Sequence, residues 1–119
     1  MAIPANTIPE TPLELWQTEW CPSSRRVRQR LTELGLAFLA HQVVVDPDAR
    51  SELREATGTS TIPVLVAGEQ TIAGEEGILA YLDSSFAEPS EAAAQRERAD
   101  KARRKELEEA CPKLATATP

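Results

Sequence analysis

One thiol in this sequence stands where it could do chemistry. Cys21 directly precedes Pro22, Ser23 and Ser24, and then a run carrying Arg25, Arg26, Arg28 and Arg30. Proline suits the first position of a helix, where its missing N–H costs nothing, so Cys21 is expected at the edge of a helix N-terminus. Unpaired backbone N–H groups and the helix dipole there favour a thiolate over a thiol. Arg25 and Arg26 add positive charge on the next turn, and Glu19 opposes them. A thiol whose ionisation is moved toward neutral pH suits thiol–disulfide exchange. Three residues on stands Ser24, not a second cysteine. A hydroxyl can hydrogen-bond a thiolate but cannot displace a bound thiol. Any exchange would be monothiol, with release by a second small thiol or by Cys111. On the tetrapeptide alone, a structural cysteine before a helix is the competing reading.

Composition narrows the setting. With 119 residues, 41% of them hydrophobic, the chain can build one modest core. Aromatics make up only 4%, so that core must be aliphatic. A net charge of −6 argues against a nucleic-acid binder, which needs clustered Lys and Arg. No stretch approaches the roughly 18 apolar residues of a membrane span, and "MAIPANTIPETP" has no secretory pattern. Two cysteines, Cys21 and Cys111, are a poor disulfide framework. A cytoplasmic setting is expected. A lone His41 supports no zinc site, and is expected to be packed or hydrogen-bonded.

The chemistry must be positioned by a small set of elements. Residues 1–11, rich in proline, are expected to be disordered. "LELWQ" alternates as a short strand, with Leu13, Leu15 and Gln17 on one face. Val27, Leu31 and Leu34 recur at helical spacing, and Gly35 ends that helix. "AFLAHQVVVD" reads as a strand with both faces covered. Asp46 and Pro47 are expected to cap a helix that stops near Gly58. "IPVLVAGEQTIAG" reads as a hairpin turning at Gly68-Glu69. Gly74 opens a further helix with Ile78, Leu79, Leu82 and Phe86 as its apolar stripe. The order β-α-β-α-β-β-α implies a four-stranded mixed sheet flanked by helices, over residues 12–88. Residues 89–110 form a charged helix with i,i+4 pairs such as Glu97–Lys101 and Asp100–Arg104, and residues 111–119 a flexible tail.

"LELWQTEWCPSSRRVRQRLTELGL" followed by "TGTSTIPVLVAGEQTIAGEEGILAYL" resembles the thioredoxin-like, glutathione-binding domain shared by glutaredoxins and the N-terminal half of glutathione S-transferases. The resemblance implies that Cys21 occupies the active-site position, with Pro22 shaping the helix start and Ser24 bonding the thiolate. It implies that Thr61-Ile62-Pro63 carries a cis proline, with the Ile62 backbone pairing strand-like with the cysteinyl part of glutathione. It implies that Gly74, Glu75 and Glu76 open the helix that receives the γ-glutamyl group, Glu75 meeting the α-ammonium. Trp20 would line the site. Thr18 replaces the basic residue many glutaredoxins carry three positions before the cysteine. Glu76 replaces the hydroxyl common in transferases.

The expected function is a monothiol glutaredoxin-like thiol–disulfide oxidoreductase. Glutathione or another low-molecular-weight thiol would be its co-substrate, and a small thiol or glutathionylated protein its partner, with no metal, nucleic acid or membrane involved. The alternatives are a non-catalytic binding module of the transferase N-terminal type, or a minimal glutathione transferase.

Overall fold

A computed structural model describes residues 8–117, with side chains for residues 8–106. The expected disorder of residues 1–11 thus falls largely outside the described residues. The elements are β1 (Leu13–Gln17), α1 (Pro22–Glu33), β2 (Leu39–Gln42), α2 (Ser51–Thr57), β3 (Val64–Ala67), β4 (Gln70–Ala73), α3 (Glu75–Ser85) and α4 (Ala92–Ala117). The chain divides into two compact units at Pro89–Ser90.

In the first unit the four strands form one mixed sheet in the order β2-β1-β3-β4. β1 is central. It runs parallel to β2 and antiparallel to β3, with Trp16 opposite His41 on one side and Val64 on the other. This register puts the exit of β1, which leads to Cys21, at the same sheet end as the entry of β3, which follows Pro63. The alternation read from the sequence holds, because Leu13, Leu15 and Gln17 are all buried. Leu15 packs with Val27 and Leu31 of α1, Leu65 of β3, and Ile78 and Leu82 of α3. A smaller cluster on the other face joins Val43, Leu53 of α2 and Val64, with Trp16 and Ile62 against it.

Helix α1 ends as its glycine demands. Gly35 takes φ +70°, and the Leu36 N–H bonds back to the Leu31 carbonyl at 3.0 Å, the pattern by which a left-handed residue satisfies orphan carbonyls. α2 ends likewise at Gly58, φ +79°.

Four expectations need correction. The run from residue 37 to 46 is not a covered strand. Only Leu39–Gln42 pairs, at the sheet edge, and Leu39, Val44 and Val45 are each more than half exposed. The run leaves the sheet because Arg50 collects the carbonyls of Val44 (2.9 Å) and Val45 (3.0 Å), together with that of Ser60 (2.8 Å). Asp46 does cap a turn, accepting from the Asp48 N–H at 3.0 Å, but that turn is a 3-10 segment, Pro47–Ala49. α2 begins separately after it. In the second unit α4 continues to Ala117, where a tail was expected from residue 111; Lys113, Leu114 and Ala115 are good helix formers. Asp100 there pairs with Arg103, one residue earlier than expected. No helix among the described residues is long and apolar enough to cross a membrane.

Candidate active site

Cys21 is the N-cap of α1, half-buried, with extended backbone (φ −77°, ψ 120°). Pro22 takes the first helical position and is exposed. The sulfur has good reason to ionise. Burial pushes the thiol up, but the N–H and hydroxyl of Ser24, the N–H of Ser23 and the nearby Arg26 guanidinium together hold it below the usual thiol range. These are the orphan donors of a helix N-terminus put to use. Arg26 contributes by its charge.

Ser24 is fully buried, and its oxygen also accepts the Thr18 N–H at 3.4 Å. It therefore ties the loop before the cysteine to the helix after it. The Cys21 N–H bonds the Thr18 carbonyl at 3.3 Å, closing the same loop. Arg28 grips it from outside, donating to the Thr18 and Glu19 carbonyls, both at 3.4 Å, and to the buried Gln17 side chain. Gln17 in turn donates to Gln42 at 3.0 Å and Glu19 at 3.2 Å.

The other two segments meet at the start of α3. The Ile62–Pro63 bond is cis and Pro63 is fully buried. The Pro63 carbonyl accepts the Gly74 N–H at 2.9 Å, so the turn before β3 and the start of α3 form one floor. Among the described residues, no hydrogen bond within the chain uses the Ile62 backbone groups. Gly74 caps α3 at φ +91°, ψ 148°, a region open essentially to glycine alone. Glu75 then receives the Arg26 guanidinium in a two-pronged bond at 2.5 and 2.8 Å. That bond, together with the Ser23 hydroxyl and against partial desolvation, holds the Glu75 carboxyl below the usual carboxylate range.

Ser23 and Arg26 join the Cys21 end of α1 to Glu75 at the start of α3, and the Gly74–Pro63 bond joins that start to the β3 entry, where Ile62 precedes Pro63 in the chain. Thr61 and Glu76 are exposed beside them. Trp20 is 67% exposed. His41 lies on β2, stacked on Trp16 at 4.1 Å with its Nε2 2.7 Å from Glu14. The side chain of Cys111 lies outside the described residues. Two cavities lie elsewhere. One, of about 160 Å³, lies between Trp16, Val43 and Leu53. The other, of about 450 Å³, lies between Pro9, Leu36, Tyr81 and Phe86. Neither of these two cavities is lined by Cys21.

The glutaredoxin family model matches residues 13–72, about half of the chain and the whole of the sheet's first three strands. The chain belongs to the glutaredoxin family. A glutaredoxin of Pseudomonas aeruginosa is 32% identical over 63 residues, which cover 53% of this chain and 75% of that protein. Among solved structures, a rice glutathione S-transferase in complex with glutathione superposes with a TM-score of 0.58 at 25% identity. It matches 72% of this chain, which spans only 40% of the transferase. A glutathione S-transferase domain-containing protein of Marinobacter aquaeolei gives 0.55 at 30% identity, covering 65% of this chain and 40% of its own. The thioredoxin-like fold expected from the sequence is therefore that of this glutaredoxin-family chain, with transferase domains as structural neighbours.

Sequence reasoning missed the Arg26–Glu75 pair and the grip of Arg28 on the loop. The signal for the first was present. Arg26 and Arg30 share one face of α1, and in this fold that face looks toward α3, where Glu75 and Asp83 stand two turns apart; Arg30 does bond Asp83, at 2.9 Å.

Proposed function

We propose that this glutaredoxin-family chain transfers glutathionyl groups by a monothiol mechanism through Cys21. The observation that carries the reading is the stabilised sulfur at the α1 N-cap, served by Ser23, Ser24 and Arg26, at the sheet end shared with the unpaired Ile62 backbone. The Cys21 thiolate attacks the glutathionyl sulfur of a mixed disulfide. A sulfur–sulfur bond forms to Cys21, the original one breaks, and the released thiolate of the small thiol or protein takes up a proton. The thiolate of a second glutathione then attacks the glutathionyl sulfur held on Cys21. Glutathione disulfide leaves and the Cys21 thiolate is regenerated. Ser24 has no sulfur with which to compete, so the mixed disulfide waits for the external thiol.

In this reading the Ile62 N–H and C=O pair with the cysteinyl unit of glutathione, while Thr61 and Trp20 border the bound tripeptide. The N-terminus of α3 beyond Gly74 receives the α-carboxylate and Glu75 the α-ammonium. Glu76 lies exposed beside that subsite. The partners are a small thiol or a glutathionylated protein, in a reducing compartment.

The test is direct. Exposure to glutathione disulfide should load one glutathione on Cys21, read by intact mass, and Cys21→Ser should abolish both the loading and the turnover of a glutathionylated peptide. Retention of transfer activity by Cys21→Ser would end this reading.

A further inference from the structure

Arg26 faces two anions at once. It holds the Glu75 carboxylate by two hydrogen bonds, at 2.5 and 2.8 Å. It also lies close enough to Cys21 for its charge to bear on the sulfur. The guanidinium is half exposed and the carboxylate about a quarter exposed, so the pair can open without unpacking the core. The groups that bear on Arg26 are Glu75, by hydrogen bond and charge, and Cys21, by charge. Of the neighbouring charges, Arg28 and Glu19 lie 3.8 Å apart and offset one another. Glu76 is exposed one residue beyond Glu75. Glu75 is therefore already occupied in the free protein by a cation that also serves the sulfur.

We propose that Arg26 is a positioning residue shared by Glu75 and the Cys21 thiolate, so that an ammonium group arriving at Glu75 turns the guanidinium over to the thiolate. This rests on the reading of Glu75 as the ammonium receiver. It adds that the two ends of a bound γ-glutamyl thiol are energetically coupled through one side chain. In the free protein Glu75 draws Arg26 away and restrains the thiolate. When the ligand's ammonium neutralises Glu75, and its carboxylate seats on the N–H groups opening α3, the guanidinium's charge is left to Cys21. Binding couplings are reciprocal, so the ionised sulfur favours ligand binding by the same factor. The substrate class follows: thiols bearing an ammonium at the γ-glutamyl position activate the sulfur that attacks them, and thiols without one do not.

The experiment is a double-mutant cycle in the full chain carrying Cys111→Ser, with Cys21 ionisation followed by ultraviolet thiolate absorbance against pH. Screened surface charges of this kind shift a neighbour's ionisation modestly. Below the thiol's midpoint, Arg26→Gln is expected to lower the thiolate fraction about threefold, and Glu75→Gln to raise it about threefold. In the Arg26→Gln background, Glu75→Gln is expected to change nothing, because its route is gone. Arg26→Lys restores the charge and should recover most of the thiolate. Equal effects of Glu75→Gln in both backgrounds would mean that Glu75 acts on the sulfur directly, and the shared-residue proposal would fall. A second arm adds the thiol-free glutathione analogue with α-aminobutyrate in place of cysteine, its binding measured separately by calorimetry. It should move the thiol midpoint down in the parent chain and leave it in place in Arg26→Gln. If the analogue binds but the midpoint stays or rises, the coupling is refuted. If it does not bind, the assignment of Glu75 under the proposed function is what fails, while the cycle on the free protein still decides whether Arg26 is shared.

Discussion

Ser24→Ala separates the two duties of one hydroxyl. Ser24 is fully buried, and its oxygen accepts the Thr18 N–H at 3.4 Å while bonding the Cys21 sulfur. Alanine keeps the Cβ, so little volume is lost. The cost is that of a buried amide left unpaired, about 1–3 kcal/mol. The bond is long, which places the expected loss near the low end, about 1 kcal/mol. For a domain of roughly 60–100 residues that lowers the melting temperature by about 4–8 °C. The sulfur loses one of its stabilising donors while its burial stays, so its pKa must rise. The direction with pH then follows. The Cys21 thiol ionises more readily folded than unfolded, so the thiolate adds stability that is present above the unfolded thiol's pKa and is lost as pH falls through the folded value. Removing the hydroxyl shrinks that alkaline increment. The gap in melting temperature between parent and variant should therefore be wider at about pH 9.5 than at about pH 5. Thermal melts at the two pH values, with alkylation rates of Cys21 against pH in a Cys111→Ser background, test both parts. A variant that melts earlier by the same margin at both values, with an unshifted alkylation profile, would show that Ser24 only packs.

Further expectations concern the frame around the site. Leu31→Ala removes a side chain with no exposed surface from the centre of the main core, and should cost about 2–5 kcal/mol in denaturant unfolding. Gly74→Ala adds a Cβ that meets nothing within 4 Å, yet at φ +91° it is strained. It should cost about 1–3 kcal/mol and weaken glutathione binding by calorimetry more than a surface substitution would. Arg30, 15% exposed, bonds Glu33, Asp83 and Glu88, so burial is outweighed and its guanidinium is held all the more firmly protonated. Arg30→Met leaves the buried Glu33 without that cation and should cost about 2 kcal/mol, read from the same denaturant curves.

Much of this arrangement is legible in the sequence, and the reasons differ from residue to residue. Pro22 and Gly35 bound α1 because their backbone preferences leave few other places for them, and the alternation in "LELWQ" fixed which face of β1 is buried. Gly74 before two acids marked a helix start for the same local reason. The failures are non-local. "AFLAHQVVVD" carries the composition of an internal strand, and only the position of β2 at the sheet edge, with Arg50 taking the carbonyls beyond it, decides that half of it leaves the sheet. Ser24 was expected to serve the thiolate, but its second bond to Thr18 depends on how the loop folds back. The Arg26–Glu75 pair joins residues 49 positions apart, and its geometry exists only once α1 and α3 lie side by side.

The open margin of the sheet carries a consequence for handling the protein. β2 offers only four residues for pairing, but Leu39, Val44 and Val45 stand bare along and beyond it. A strand whose outer edge is open, flanked by uncovered aliphatic groups, is a template for a neighbouring molecule. Clouding of concentrated samples should begin there, at a threshold that a charge at Val44 or Val45 raises without altering thiol transfer.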